Sequence, residues 1–284
     1  PERAVRAFMD IYRFSKNIEM LQQIPSRLPR RPEFDREAAK GMISEGLGTQ
    51  NYLLTEMEAK ALLSSYGIRV NRMEKAVKRE EVVQKAQNIG FPVVMKINSR
   101  DITHKSDANA VFLDLKNENE ASKAFDQIIW NAHAYNPKAK IEGVTIQPML
   151  TEYDHELILG VKKDRDFGPV ILFGMGGVYA EVLQDRAIAF PPLNRLLATR
   201  LMEETKVYRL LKGYRNIKPA NLQLLEETLI RLAQLVTDFS EISELDINPL
   251  IVGGDTVCAL DARVLLKPSQ TPAPLHLVIS PYPD

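Results

Sequence analysis

The chain has 284 residues, 45% hydrophobic and 26% charged, with 37 basic side chains balanced by 37 acidic ones. That length suits one large domain or two packed subdomains, and the zero net charge lacks the basic excess of a nucleic-acid binder. One cysteine, Cys258, excludes a disulfide framework, and no apolar run approaches a membrane span, so a reducing, cytoplasmic setting is expected.

Residues 1–24 carry helical spacing: Val5, Phe8, Met9, Ile11, Tyr12, Ile18, Leu21. "PSRLPRRPEF" then reads as a linker, because proline removes backbone donors and pushes its neighbours to extended conformations. Residues 35–48 read as a helix. "LTEMEAKALLSSYGIRV" is a second, with Thr55 and Glu58 as a capping box and Gly67 as its C-terminal stop. Strands follow in "FPVVMKI" and "AVFLDL", then a helix over 118–133. "VTIQPML" and "ELILGVKK" are strands joined by a short acidic link, "TEYDH". "PVILFGMGG" is a strand running into glycines, and "AIAFPPL" a short strand. Amphipathic helices are expected over 194–212 and 222–239, loops at "DRDFGP" and around Gly213, and a closing hairpin in "ELDINPLIVGGDTVCALDARV". The pattern is α+β, helices covering mostly antiparallel sheets.

Gly253-Gly254 suits the two central positions of a type I′ turn. In that register Val252 pairs with Asp255, Asn248 with Ala259, and Asp246 with Asp261. Side-chain alternation then sets Asp246, Asn248 and Asp261 on one face, opposite an apolar one. Opposed carboxylates destabilise a strand pair, and a cation between them removes that cost. Oxygen ligands of this kind suit Mg²⁺. The competing reading is a pair of solvated aspartates with the register one residue away.

Lys96 ends the apolar strand "PVVMK", where its ammonium at a sheet edge could hold a phosphate. The loop after it supplies His104, Lys105 and Ser106. A neutral imidazole can accept a phosphoryl group, and the lysines would offset its charge. A solvated surface loop reads the same way, and from the residues alone that reading leads. "FGMGGVYAEV" is a glycine-bearing turn, weak evidence for a nucleotide by itself. "TIQPMLTEYDHE" has the form of a hinge. Backbone groups there could read an adenine edge and Glu156 could take ribose hydroxyls; an ordinary hairpin fits equally.

Taken together, "LTEMEAKALLSSYGIRV", "GFPVVMKINSRDITHKSD", "VTIQPML", "ELILGVKKDRDFGPVILFGMGGVYAEVL" and "EISELDINPLIV…ALDARV" resemble, in order, the ATP-grasp part of NDP-forming acyl-CoA synthetases. That family includes ADP-forming acetate–CoA ligases and is related to succinyl-CoA synthetase. "PERAVRAFMDIYRF" resembles the exit from the family's CoA-ligase half, and "AIAFPPLN" with the tail "LVISPYPD" resembles the subgroup fused to a GNAT lysine acetyltransferase domain. The resemblance implies an ATP-grasp fold of two α+β subdomains with nucleotide between them. It implies a helix and linker over 1–34 following an absent CoA-ligase domain, an N-terminal subdomain over 35–142, a C-terminal one over 143–267, and a linker over 268–284 toward an absent GNAT domain.

On matching positions it implies that Lys96, with Lys105 and Ser106, holds the phosphates of ATP or ADP. Gln147, Pro148, Met149 and Leu150 would line the adenine, with Glu156 on the ribose. Asp246, Asn248 and Asp261 would hold Mg²⁺, and His104 would be the phosphohistidine. The reaction implied is acid + CoA + ATP = acyl-CoA + ADP + phosphate. The isolated chain is expected not to catalyse it alone. Two departures stand out: the family's Gly-Gly pair after "HKSD" is Asn109-Ala110 here, and a glycine usual after the arginine of "LLKGYR" is Asn216. Loss of the pair would hinder backbone approach to phosphate. Both departures suit a second reading, a catalytically silent nucleotide-binding or regulatory module of a protein lysine acetyltransferase. A third is a carboxylate–amine ligase, which would give His104 no role. No nucleic-acid or membrane partner is expected, and homo-oligomerisation is left open.

Overall fold

A computed structural model of the chain describes residues 2–22, 34–102, 104–177 and 184–268. Most of the "PSRLPRRPEF" linker, the "VYAEVL" part of the glycine turn and the tail from 269 lie outside the described residues. Helix α1 (Glu2–Gln22) leads the chain, and α2 (Arg36–Gly48) and α3 (Glu56–Ser65) follow. Thr55 caps α3 as expected: its hydroxyl accepts from Glu58 N, and the Glu58 carboxylate accepts from Thr55 N at 2.7 Å. Gly67 ends the helix at φ +69°, backbone that glycine adopts without Cβ strain.

The first sheet is antiparallel, ordered β1-β4-β2-β3: β1 (Glu74–Ala76), β2 (Val93–Ser99), β3 (Val111–Leu115) and β4 (Ile141–Pro148). Helices α4 (Arg79–Ile89) and α5 (Glu118–Tyr135) cover one face. Residues 72–91 carry β1 and α4, which the sequence reading left unassigned. The second sheet runs β10-β8-β5-β6-β7, with β9 also on β8. Its strands are β5 (His155–Asp164), β6 (Gly168–Met175), β7 (Arg186–Ala189), β8 (Ile242–Gly253), β9 (Thr256–Ala259) and β10 (Ala262–Leu266), with α6 (Arg195–Glu203), α7 (Val207–Leu211) and α8 (Leu222–Asp238) beside them. Among the described residues no helix is long and apolar enough to cross a membrane.

Two apolar cores result. One packs Val93, Met95, Ile97, Val144 and Ile146 under α4 and α5. The other packs Leu157, Leu159, Phe173, Ile247 and Val264 against the later helices, and also holds Ala39, Ile43, Leu62, Leu63 and Tyr66. Residues 35–70, expected in the first subdomain, therefore bury their apolar face in the second. A helix's apolar stripe tells that it is buried, not which sheet buries it.

Four expectations need correction. The helix over 194–212 is two helices, because the buried Asp185 carboxylate takes the backbone N–H groups of Lys206 and Val207, both at 2.7 Å, and starts a new helix there. Lys96 is at no sheet edge: β2 runs on to Ser99 between β4 and β3. The hairpin register is displaced by two residues. Gly253 pairs with Thr256 around Gly254-Asp255, and Leu250 pairs with Ala259. Asp246 and Asn248 still share a face, but β8 is irregular at Asn248-Pro249: Leu159 pairs with Ile247 and Leu157 with Leu250, so Leu250 and Val252 turn into the same core as Ile247. Asp246 now lies opposite Arg263 rather than Asp261. "VTIQPML" and "ELILGVKK" are not a hairpin either; they belong to different sheets, so the link between them crosses from one subdomain to the other.

Candidate functional site

Alternation along β2 and β4 builds the first wall. Val93, Met95 and Ile97 point under the helices, so Val94, Lys96 and Asn98 point the other way, toward the second subdomain. On β4, Val144 and Ile146 sit in the core and Gln147 shares the face of Lys96. The opposite wall is the β8/β10 edge carrying Asp246, Asn248 and Asp261. A cavity of about 430 Å³ lies between, lined by Lys96, His104, Lys105 and Ser106 on one side and by Asp246, Asn248 and Asp261 on the other. Seven of the twelve expected site residues thus meet in one place.

At its floor lies a carboxylate that the sequence reading missed. Glu56, in the first turn of α3, has a side chain only 2% exposed. Its Oε1 accepts from Lys60 Nζ (2.9 Å), Lys96 Nζ (3.2 Å) and Gln147 Nε2 (2.6 Å), and its Oε2 from Lys105 Nζ (2.7 Å). Asp261 takes Lys96 at 3.0 Å and Lys105 at 3.5 Å. Burial alone would raise the Glu56 pKa, but the charges of Lys96, Lys105 and Lys60 hold it far below the usual carboxylate range. Burial likewise opposes the charge on Lys105, and Asp261 and Glu56 outweigh it, so Lys105 is pushed up and stays an ammonium.

The signal for Glu56 was present. Glu56, Ala59, Lys60 and Leu63 recur at the i, i+3, i+4, i+7 spacing of the stripe that α3 buries. An acidic first-turn residue with a lysine four residues on reads more readily as a solvated surface pair.

The remaining expected residues lie apart from the cavity lining. Gln147 is buried, and its side chain serves Glu56, Lys60 and Asn71 (Nδ2 to Oε1, 2.8 Å). Pro148, Met149 and Leu150 are half-buried, with Met149 N donating to Pro92 O at 3.0 Å. Glu156, on β5, accepts from the Tyr153 hydroxyl at 2.7 Å.

His104 is exposed at the cavity's lip. The segment after it folds on itself: Ala108 N donates to His104 O, Asn109 N to Ser106 O and Ala110 N to Lys105 O. Asn109 adopts φ +49°, a left-handed backbone that asparagine tolerates better than most residues. Ala110 is fully buried in the first core. The amides of both replaced glycine positions therefore bond within the segment.

The acidic wall fits a hard cation. Burial pushes the Asp246 pKa up, Arg263 opposes this, and the Asp261 charge adds to it. The Asp261 carboxylate thus lies close enough for its charge to be felt at Asp246. Among the described residues no three His, Cys, Asp or Glu side chains converge. Two carboxylates and the amide oxygen of Asn248 are a small donor set, which suits Mg²⁺, an ion that keeps waters and phosphate oxygens in its shell.

The ATP-grasp domain profile matches residues 45–266. The chain is 40% identical over 232 residues to the acetate–CoA ligase [ADP-forming] I subunit beta of Pyrococcus furiosus, covering 82% of this chain and all of that one. It is 39% identical over 266 residues to acetate–CoA ligase [ADP-forming] I of Archaeoglobus fulgidus, covering 94% of this chain but 38% of that longer protein. Among solved structures, Ca. Korarchaeum cryptofilum dinucleotide forming acetyl-coenzyme A synthetase 1, in complex with coenzyme A and Ca-AMPCP, superposes with a TM-score of 0.78 at 36% identity, over 81% of this chain and all of that one. The same enzyme is known with Mg-AMPPCP and its phosphohistidine segment pointing towards the nucleotide binding site, and with the phosphorylated segment in a site I orientation.

Proposed function

This chain belongs to the ATP-grasp domain family, and from that premise we propose that it is the nucleotide-handling part of an ADP-forming acyl-CoA ligase. One observation carries the reading: His104, Lys96 and Lys105 face Asp246, Asn248 and Asp261 across a single cavity. The chain spans the full length of the separate beta subunit but only 38% of the single-chain relative. The acyl and CoA chemistry is accordingly assigned to a CoA-ligase partner or domain.

Lys96 and Lys105 neutralise the nucleotide's phosphates, as buried ammonium groups can where water is scarce. Asp246, Asn248 and Asp261 hold Mg²⁺, which supplies charge neutralisation at the phosphoryl oxygens. The half-buried Pro148–Leu150 stretch offers backbone groups to the adenine edge, and Glu156 is assigned to the ribose. The Gln147 side chain serves the lysine network rather than the base. In the ATP-consuming direction, a neutral ring nitrogen of His104 attacks the γ-phosphorus. The bond to the β–γ bridging oxygen breaks, its electron pair leaves with ADP, and the imidazole's other N–H proton passes to solvent. The reverse step returns the phosphoryl group to ADP. The partner would then relay the group between this histidine and the acyl phosphate.

The silent acetyltransferase-linked module is the second reading. It rests on Asn109-Ala110 and on Asn216, and the accommodated left-handed Asn109 weakens the first ground.

The test is labelling with γ-phosphate-labelled ATP beside calorimetry with Mg-ADP. Acid-labile label on the wild type, none on His104→Ala, and an affinity about tenfold or more weaker in Asp261→Asn are expected. Label retained by His104→Ala, or Mg²⁺-independent binding unaffected by Asp261→Asn, would sink the assignment.

A further inference from the structure

The two oxygens of Glu56 serve different parts of the chain. Oε1 is shared by Lys60, Lys96 and Gln147, groups on α3, β2 and β4 that belong to the fixed framework. Oε2 takes Lys105, at 2.7 Å the shortest of the lysine contacts to this carboxylate. Lys105 belongs to the segment 104–110, which has no strand or long helix of its own and is closed by the three backbone bonds described above. Its ammonium ties that segment to the base of the second subdomain's helix α3. Asp261 is its other acidic neighbour, at 3.5 Å to each oxygen, and is also engaged by Lys96 at 3.0 Å.

We propose that Glu56 is a positioning residue that seats His104: by clasping Lys105 it parks the 104–110 segment toward the nucleotide cavity. The inference rests on the reading of His104 as phosphoryl acceptor. Because Glu56 is held from beneath by Lys60 and Gln147, its Oε2 is a fixed anchor, whereas Asp261 is also offered to a cation. Moving the 104–110 segment away from the cavity has to break the Lys105–Glu56 pair and leave both charges partly desolvated, which opposes it. Glu56 thus favours the orientation that meets ATP.

Two readouts test this in Glu56→Gln. The first is hydrogen exchange of the amides of 108–110 in the nucleotide-free chain, expected to quicken about tenfold or more once the segment is released. The second compares labelling of His104 with Mg-ADP affinity. The labelling rate should fall at least about tenfold while affinity changes less than about threefold, because the loss is one of seating. A general structural lesion would lower both in proportion and exchange faster everywhere, and that result overturns the proposal. So does unchanged exchange at 108–110 in a folded variant, whatever happens to labelling. Should Glu56→Gln fail to fold, Lys105→Met leaves Glu56 its two other lysines and must accelerate the same amides; if it does not, the clasp is refuted. Absence of label on the wild type would refute the role of His104, and the exchange arm would still decide the clasp.

Discussion

Restoring the family's glycine pair, Asn109→Gly with Ala110→Gly, is expected to lower stability without improving nucleotide binding. The amides at both positions already donate within the segment, Asn109 N to Ser106 O and Ala110 N to Lys105 O, each at 2.9 Å. Removing the side chains does not turn those donors toward the cavity. The Ala110 methyl is fully buried, so deleting it costs about 0.8 kcal/mol of burial. The added backbone freedom of glycine there costs roughly 0.5–1 kcal/mol more. At Asn109 the relief of left-handed strain, about 1 kcal/mol at most for this residue type, is offset by a similar entropy term. The net expectation is a loss of about 1–2 kcal/mol in urea unfolding, with Mg-ADP affinity within about twofold of wild type by calorimetry. An affinity gain of about tenfold would refute the reasoning. It would mean that the two amides do reach phosphate, and that the segment reopens to let them.

Two further outcomes follow from α3. Thr55→Ala removes one half of the capping box and should cost about 1 kcal/mol by urea unfolding; a loss below a few tenths would mean that Glu58 alone holds the turn. Burial would raise the Glu58 pKa, but hydrogen bonds from Arg100 (2.6 and 2.7 Å) and from Thr55 N lower it overall. Its folded value thus lies below its unfolded one. Its contribution is complete above the ordinary carboxylate range and fades as pH falls toward the folded value. The stability gap between wild type and Glu58→Gln should be open at neutral pH and narrow in acid, and a gap that widens in acid would contradict this sign.

Much of the site was written in local pattern. The parity of "LDINP" fixed that Asp246 and Asn248 share a face. That survives in the structure, even though the hairpin is displaced by two residues, because residues two apart on one stretch of strand share a face whatever the cross-strand register. The capping box and Gly67 were legible for the same reason: each depends on neighbours within one turn.

What local pattern could not carry was partnership. Lys96 reads as a strand-end cation, but its neighbours Glu56 and Asp261 are 40 and 165 residues away. Glu56 itself reads as a helix-start acid until β2, β4 and the 104–110 segment close over it. The assignment of α2 and α3 to the second core was hidden likewise, since a buried stripe names no partner. The sequence by itself determined the elements, their faces and the chemical types available. Only the tertiary structure decided which charges would share a low-dielectric pocket. Three lysines and two carboxylates meet in one site there, and burial opposes the charges of Glu56 and Lys105 while their oppositely charged neighbours sustain them.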